Sequence, residues 1–269
     1  MTNAINWLHS LPDYVILIGF TVVVPLYALA LYGGLAYAYK NSKLPHDAYL
    51  GINMFNSSIA ISAFLLTFTL VQALGTLQRV NQAVYEETAV IEQLDMVLLD
   101  YGEAEAADVR QKLQRYIKSV IVQELGASLA SAGKKRVSKE LYDLSYAITH
   151  QLLNKTTQQK ELYDKSVSLM EDLGKARFQR MQHVGKTLAP VFLLGIFLLI
   201  TTSILLFFYL SRKNRYSAFA LLFQMTALGT LCGLVAIYDN PFTGESGVTA
   251  EAYETSLDMI QQRTDLNDD

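Results

Sequence analysis

Cysteine and proline are nearly absent from this chain: its 269 residues include one cysteine, Cys232, and five prolines. A single thiol excludes an internal disulfide and leaves no cysteine pair for a zinc site, so the redox compartment stays open. Charge is scarce as well, at 17% of residues, where soluble chains carry about 25%. The deficit is concentrated in four charge-free intervals, Tyr14 to Tyr39, Ala48 to Gln78, Thr187 to Ser211 and Tyr216 to Tyr238. Each offers the roughly 20 mostly apolar residues that a helix needs to cross a bilayer. Residues 79–186, by contrast, carry 16 Lys/Arg and 15 Asp/Glu and belong in water. A net charge of -3 with scattered Lys/Arg gives no basic footprint, which argues against nucleic acid as a partner.

The first interval is too long for a cleaved secretion signal and no Lys or Arg precedes it, so it reads as a retained membrane helix. Spans are expected at 14–39, 50–76, 189–211 and 216–238, in membrane pairs within 1–78 and 187–240. Residues 79–186 are expected to form a helical extramembrane domain, and 241–269 a turn, a short helix from Thr249 to Gln262 and an acidic tail. Neither Pro nor Gly interrupts Gln78 to Leu99, so the second span should continue into water as one rod, capped at Gly102. Val109, Leu113, Tyr116, Val120 and residues 123–125 keep an apolar stripe on a helix over 105–129. A break follows at Gly133 to Arg136, with Ser138 as the N-cap of a helix carrying Leu141, Leu144, Ile148 and Leu152. A further helix from Thr157 carries Leu162, Leu169, Leu173 and Met181. No strand signal of useful length is present. The fold class is an all-α integral membrane protein, and its amphipathic stripes need each other or a neighbouring subunit for cover.

Charge does not orient the chain. Lys40, Lys43, Arg212, Lys213 and Arg215 on the short loops are balanced by Arg79, Lys175, Arg177, Arg180 and Lys186 beside the helical domain.

Enzyme signatures are missing: there is no GxSxG, HExxH or phosphate loop, and no spacing that calls for a metal or cofactor. His9, His46, His150 and His183 are far apart and read as solvated surface. Glu86, Glu87, Glu92 and Asp95 read as a solvated helix face beyond the second span; Glu86 and Glu87 are also candidates for carboxylates at a pore mouth. No Lys, Arg, Asp or Glu lies inside any span, which speaks against a proton relay, a stator-like proton channel or a charge-coupled transporter.

The second span is the informative one. Its residues Gly51, Phe55, Ser58, Ser62, Leu65, Thr69, Gln72 and Thr76 recur at three and four residue spacing. Such a stripe of small and hydroxyl side chains serves close helix packing. It also suits the wall of an uncharged wettable pore, with Ser58, Ser62, Leu65, Thr69 and Gln72 as lining candidates. Phe64 and Phe68, on the other side of the helix, are candidates for a constriction should the helix be rotated. In the fourth span Gly229 and Gly233 have the GxxxG spacing of close helix packing.

After that span come Asp239, Asn240, Pro241, Phe242, Thr243 and Gly244. Pro241 stops the helix, Asp239 is suited to accept backbone N–H groups of the turn, and Gly244 supplies a conformation closed to most residues. This Asp-x-Pro-Phe-x-Gly turn resembles the hallmark of the bestrophin-like family of membrane proteins. VYEETAVIEQL, Val84 to Leu94, and LQRYIKSVIVQEL, Leu113 to Leu125, are also similar to that family, as is the order of two spans, a helical domain and two spans. The resemblance implies a homo-oligomer, pentameric by analogy with bestrophins, in the inner (plasma) membrane. It implies that the second span surrounds a pore for inorganic ions, an anion such as chloride being favoured, and that the helical domain is cytoplasmic. The other reading is a non-conducting membrane scaffold or sensor in which the long second helix transmits a signal.

Overall fold

The computed structural model describes residues 11–39, 48–125, 131–152, 156–182, 190–210, 215–239, 241–242 and 245–268. These are helical apart from turns: α1 (Asp13–Ala38), α2 (Ala48–Tyr101), α3 (Glu103–Val120), a π-helical turn (Ile121–Leu125), α4 (Ser131–Gln151), α5 (Thr157–Met181), α6 (Pro190–Leu210), α7 (Arg215–Tyr238) and α8 (Glu251–Asp268). Among the described residues, three helices are long and apolar enough to cross a membrane, Asp13–Ala38, Asn53–Tyr101 and Phe219–Tyr238, and Leu194–Tyr209 is a shorter apolar helix. The chain divides into two compact units, Met1–Leu77 with Gly185–Gly247, and Gln78–Val184 with Val248–Asp269.

In the first unit α1, α2, α6 and α7 share one apolar core that includes Ala28, Leu66, Ile200, Ile204, Leu221 and Leu228. The Gly229/Gly233 pair does what its spacing suggests, because α1 lies directly on it. A Cβ added at Gly229 would stand 2.6 Å from the Phe20 carbonyl oxygen, and one at Gly233 would stand 3.1 Å from Leu17 Cα. Thr21 and Thr230 hydroxyls meet across the same seam at 3.2 Å. Asp13, in the first turn of α1, accepts the Ser246 backbone N–H at 2.8 Å.

The second unit is a helical cluster whose core draws on α2 through α5 and on α8, with Leu94, Leu98, Leu113, Ile148, Leu173 and Ile260 fully buried. Gly102 ends α2 as expected, taking φ of 122°, where a side chain would be strained. Thr156 caps α5 by accepting the Gln159 N–H at 3.1 Å.

Three expectations are corrected. The break at Gly133 to Arg136 is instead inside α4, and Ser138 is not its N-cap; one glycine costs a helix only about 1 kcal/mol, which the flanking helix formers and the packed turns beyond it outweigh. The helix expected over 105–129 changes to a π turn after Val120, and that wider turn carries Glu124 into the interior. The tail is helical through Asp268, and Tyr253, Ser256 and Ile260 on one face are buried because they complete the second unit's core.

Candidate functional site

Helix α2 presents two unlike faces along its apolar length. Ser58, Ser62 and Thr69 are buried within the chain. The Ser58 hydroxyl meets that of Ser203 on α6 at 2.7 Å, while Ser62 and Thr69 donate to the carbonyls one turn back, of Ser58 and Leu65. Their stripe therefore packs helix on helix inside one chain, with Leu65 half-buried beside it. Ser203, with Ile204 and Phe207, gives α6 a buried face. Gln72 departs from its stripe and is exposed.

The opposite face is open. Phe64 is 75% exposed and Phe68 50%, and Asn53, Asn56, Ser57, Ala60, Thr67 and Val71 are exposed with them. The other apolar helices present a different surface: the exposed described residues of α7 are Phe219, Ala220, Phe223 and Ala227. Exposed amide side chains in the apolar helices are confined, among the described residues, to α2.

Further along α2 the acidic face divides. Glu86 is exposed and accepts from the Gln82 amide at 2.9 Å, as a solvated residue should. Glu87 is fully buried, so the solvated reading and a place at a water-filled mouth fail for it. Asp95 is likewise buried, paired with Arg110 at 2.9 Å and Arg263 at 3.3 Å, and Glu92 accepts from the Ser256 hydroxyl at 2.7 Å. The reason is periodicity: Val80, Val84, Glu87, Ile91, Leu94 and Leu98 follow each other at three and four residues, so Glu87 occupies a core position.

What receives Glu87 is a cluster centred on Arg180 of α5, the largest fully buried side chain among the described residues. Arg180 Nε donates to Glu87 Oε2 at 2.7 Å, and its Nη2 donates to both Glu87 Oε1 at 3.3 Å and Glu124 Oε2 at 2.6 Å. The Tyr116 hydroxyl donates to Glu87 Oε1 at 2.6 Å, Arg177 donates to Glu124 at 2.7 Å and to the Ser138 hydroxyl at 3.2 Å, and the Tyr253 ring lies 5.7 Å from the Arg180 guanidinium. Two carboxylates and two guanidiniums balance, which is the condition under which charges persist away from water. Burial, and then the Glu87 charge, push the Tyr116 and Tyr253 phenols well above the usual tyrosine range. Burial opposes the Arg180 charge, but Glu87, Tyr253 and Glu124 together more than offset this and hold its pKa well above the usual value.

Arg180, Arg177 and Tyr253 were not singled out by the sequence. The legible signal was an arginine in a core register, since Leu169, Leu173, Ala176 and Arg180 share the buried face of α5. The cluster also joins the two internal blocks quoted above, Glu87 coming from one and Tyr116 and Glu124 from the other.

In the turn after α7, Pro241 and Phe242 are buried and Asp239 is half-buried. Gly244, Asn240 and Thr243 lie outside the described residues, as do His9, His46 and His183; His150 is exposed and stacked on Tyr146. Among the described residues no group of three or more His, Cys, Asp or Glu is placed to hold a metal ion.

Neither a curated protein nor a solved structure matches the chain. The family model of the bestrophin-like domain matches residues 52–253, from the exposed face of α2 to Tyr253 in the buried cluster. With most of its length so matched, the chain belongs to the bestrophin-like family.

Proposed function

We propose that this protein is a subunit of a passive, oligomeric anion channel, with chloride as the favoured ion and five copies per channel by analogy with bestrophins. The family is associated with channels and not with enzymes. In this reading four spans, at 14–39, 50–76, 189–211 and 216–238, carry a cytoplasmic helical domain at 79–186, in a plasma membrane. The outward face of α2 surrounds the conduction path, and Phe64 and Phe68, one helical turn apart, form its narrow part. Gln72 and the exposed Glu86 stand farther along the same helix.

One observation carries this. Asn56, Ser57, Thr67 and Gln72 are exposed on α2 within an apolar stretch, and unpaired amides and hydroxyls facing hydrocarbon are costly. Another copy of the chain, or water on a common axis, relieves that cost, and a ring of such faces does both. The hydroxyl stripe of Ser58, Ser62 and Thr69 is left to packing.

Purified protein in liposomes tests the reading by chloride flux. Phe64→Ala with Phe68→Ala should raise the flux, and Phe68→Trp should lower it. Silence under varied pH, calcium and tension would overturn the channel and leave the scaffold reading, in which the 54-residue α2 serves as a signalling rod.

A further inference from the structure

We infer that the second unit holds a binding site for a small organic cation, a primary ammonium on a short carbon body, in the groove between α2 and the start of α8, with Glu92 receiving its charge. Such a site is independent of whether the protein conducts ions.

The groove has a volume of about 300 Å³ and lies wholly within the second unit. Residues 81, 84, 85, 88 and 92 of α2 form one wall; residues 251, 252, 255 and 256 of α8, with Val248 and Thr249 before it, form the other. Both helical sets recur at three and four residue spacing, so two helix stripes face each other. Facing stripes inside a domain ordinarily close on apolar side chains. Here they leave a gap and place hydroxyls and carboxylates along it.

The hydroxyls are already spent as donors. Ser256 gives its hydrogen to Glu92 Oε1 at 2.7 Å, Thr88 to the Tyr85 carbonyl at 3.1 Å and Thr255 to the Glu251 carbonyl at 2.8 Å. A hydroxyl carries one hydrogen, so these three can only accept from a molecule that enters, and an ionised carboxylate likewise only accepts. Thr88 and Ser256 are buried, so water competes little for their hydrogens. Among the described residues no Lys or Arg lines the groove. Whatever binds there has to donate.

Charge points the same way. The buried acids of this unit have arginines: Glu87 and Glu124 share Arg180, and Asp95 has Arg110 and Arg263. Glu92 is half-buried and has only the Ser256 hydroxyl, with no cation among the described residues. Glu251 is the lesser partner, because it stands in the first turn of α8, where the positive end of the helix already favours it.

A primary ammonium meets both needs, with three donors and one positive charge. A bare metal ion meets them less well. Calcium takes about 6–8 oxygens, and no group of three or more His, Cys, Asp or Glu is placed among the described residues to hold a metal. Val84, Val248 and Ala252 add apolar surface to the walls, which a carbon body covers and an ion does not.

The test titrates the purified full chain with n-butylammonium chloride, read by saturation transfer from protein to the butyl protons and by the shift in unfolding temperature. Sodium butyrate and calcium chloride are the other arms. Butylammonium should bind saturably and butyrate should not. Glu92→Gln, which keeps an acceptor for Ser256, should weaken binding about tenfold or more. Ala252→Leu, which fills the groove and leaves every charge in place, should weaken it as much. Glu161→Gln removes an exposed acid on α5 and should change nothing; an equal loss there would mean that bulk charge, not the groove, attracts the amine. No saturable binding of butylammonium, equal binding of butyrate, or full affinity in both Glu92→Gln and Ala252→Leu overturns the inference. So does stoichiometric calcium binding that Glu92→Gln abolishes, since the groove is then a metal site. Should either variant fail to fold, Glu251→Gln takes its place, with a loss of about threefold expected and full affinity as the overturning result.

Discussion

Arg180 and Glu87 are 93 residues apart in sequence and 2.7 Å apart in space, both with no exposed side-chain surface. A buried ion pair adds little net stability, because desolvation of both charges offsets their attraction. Its removal is another matter. Arg180→Ala leaves two carboxylates short of donors, and we expect a loss of about 3–5 kcal/mol, read from thermal unfolding of the purified protein. Replacing Arg180 and Glu87 together by apolar residues should cost less than either change alone, and a double-mutant cycle that came out additive would refute the coupling.

The two arginines on Asp95 should differ. Arg110 is almost fully buried, and its loss uncovers a carboxylate that has no exposed surface. Arg263 remains 30% exposed, so water replaces part of what it gives. Arg263→Ala is expected to cost under about 1 kcal/mol, and Arg110→Ala about 2 kcal/mol or more. Equal shifts in unfolding midpoint would contradict the burial order.

Gly229→Leu should damage the seam between α1 and α7. Its Cβ alone would meet the Phe20 carbonyl at 2.6 Å, and a backbone atom cannot swing aside as a side-chain end can. Overpacking of this kind costs about 1–3 kcal/mol. Gly174→Leu is the control, because nothing lies within 4 Å of the position; the two variants losing stability equally would show that the seam is not tight.

Tyr116 and Tyr253 give the protein a dependence on alkaline pH. Both phenols have folded-state pKa values raised well above the usual 10.0, by burial first and the Glu87 charge second. A group raised in the folded state stabilises it fully below its unfolded pKa, and the contribution is lost as pH rises through the folded value. Stability should therefore be insensitive to these groups below pH 10 and fall above it. Ultraviolet titration should show two phenols ionising only as the protein unfolds, and Tyr116→Phe should remove one of them; early ionisation of all tyrosines would count against the cluster.

How much was legible depended on the kind of information involved. The all-helical class, the apolar lengths, the stop at Gly102, the N-terminus of α5 and the Gly229/Gly233 seam all follow from local pattern, since span length, glycine conformation and small-residue spacing act within a few turns of one helix. The family resemblance rested on a turn and two short blocks, and the family match bears it out. Sequence periodicity also separated the hydroxyl stripe of α2 from the phenylalanine face, because helical spacing fixes which residues share a side. It could not say which side its own chain would cover. That was decided by Ser203 on α6 and the shared core of four helices. In the same way Glu87, Glu124 and Arg180 were separate charges in a list of charged residues until folding buried them together. A buried charge is tolerated only when its partners arrive, and those partners come from helices distant in sequence, so tertiary structure alone determined that these residues form a cluster instead of a solvated face.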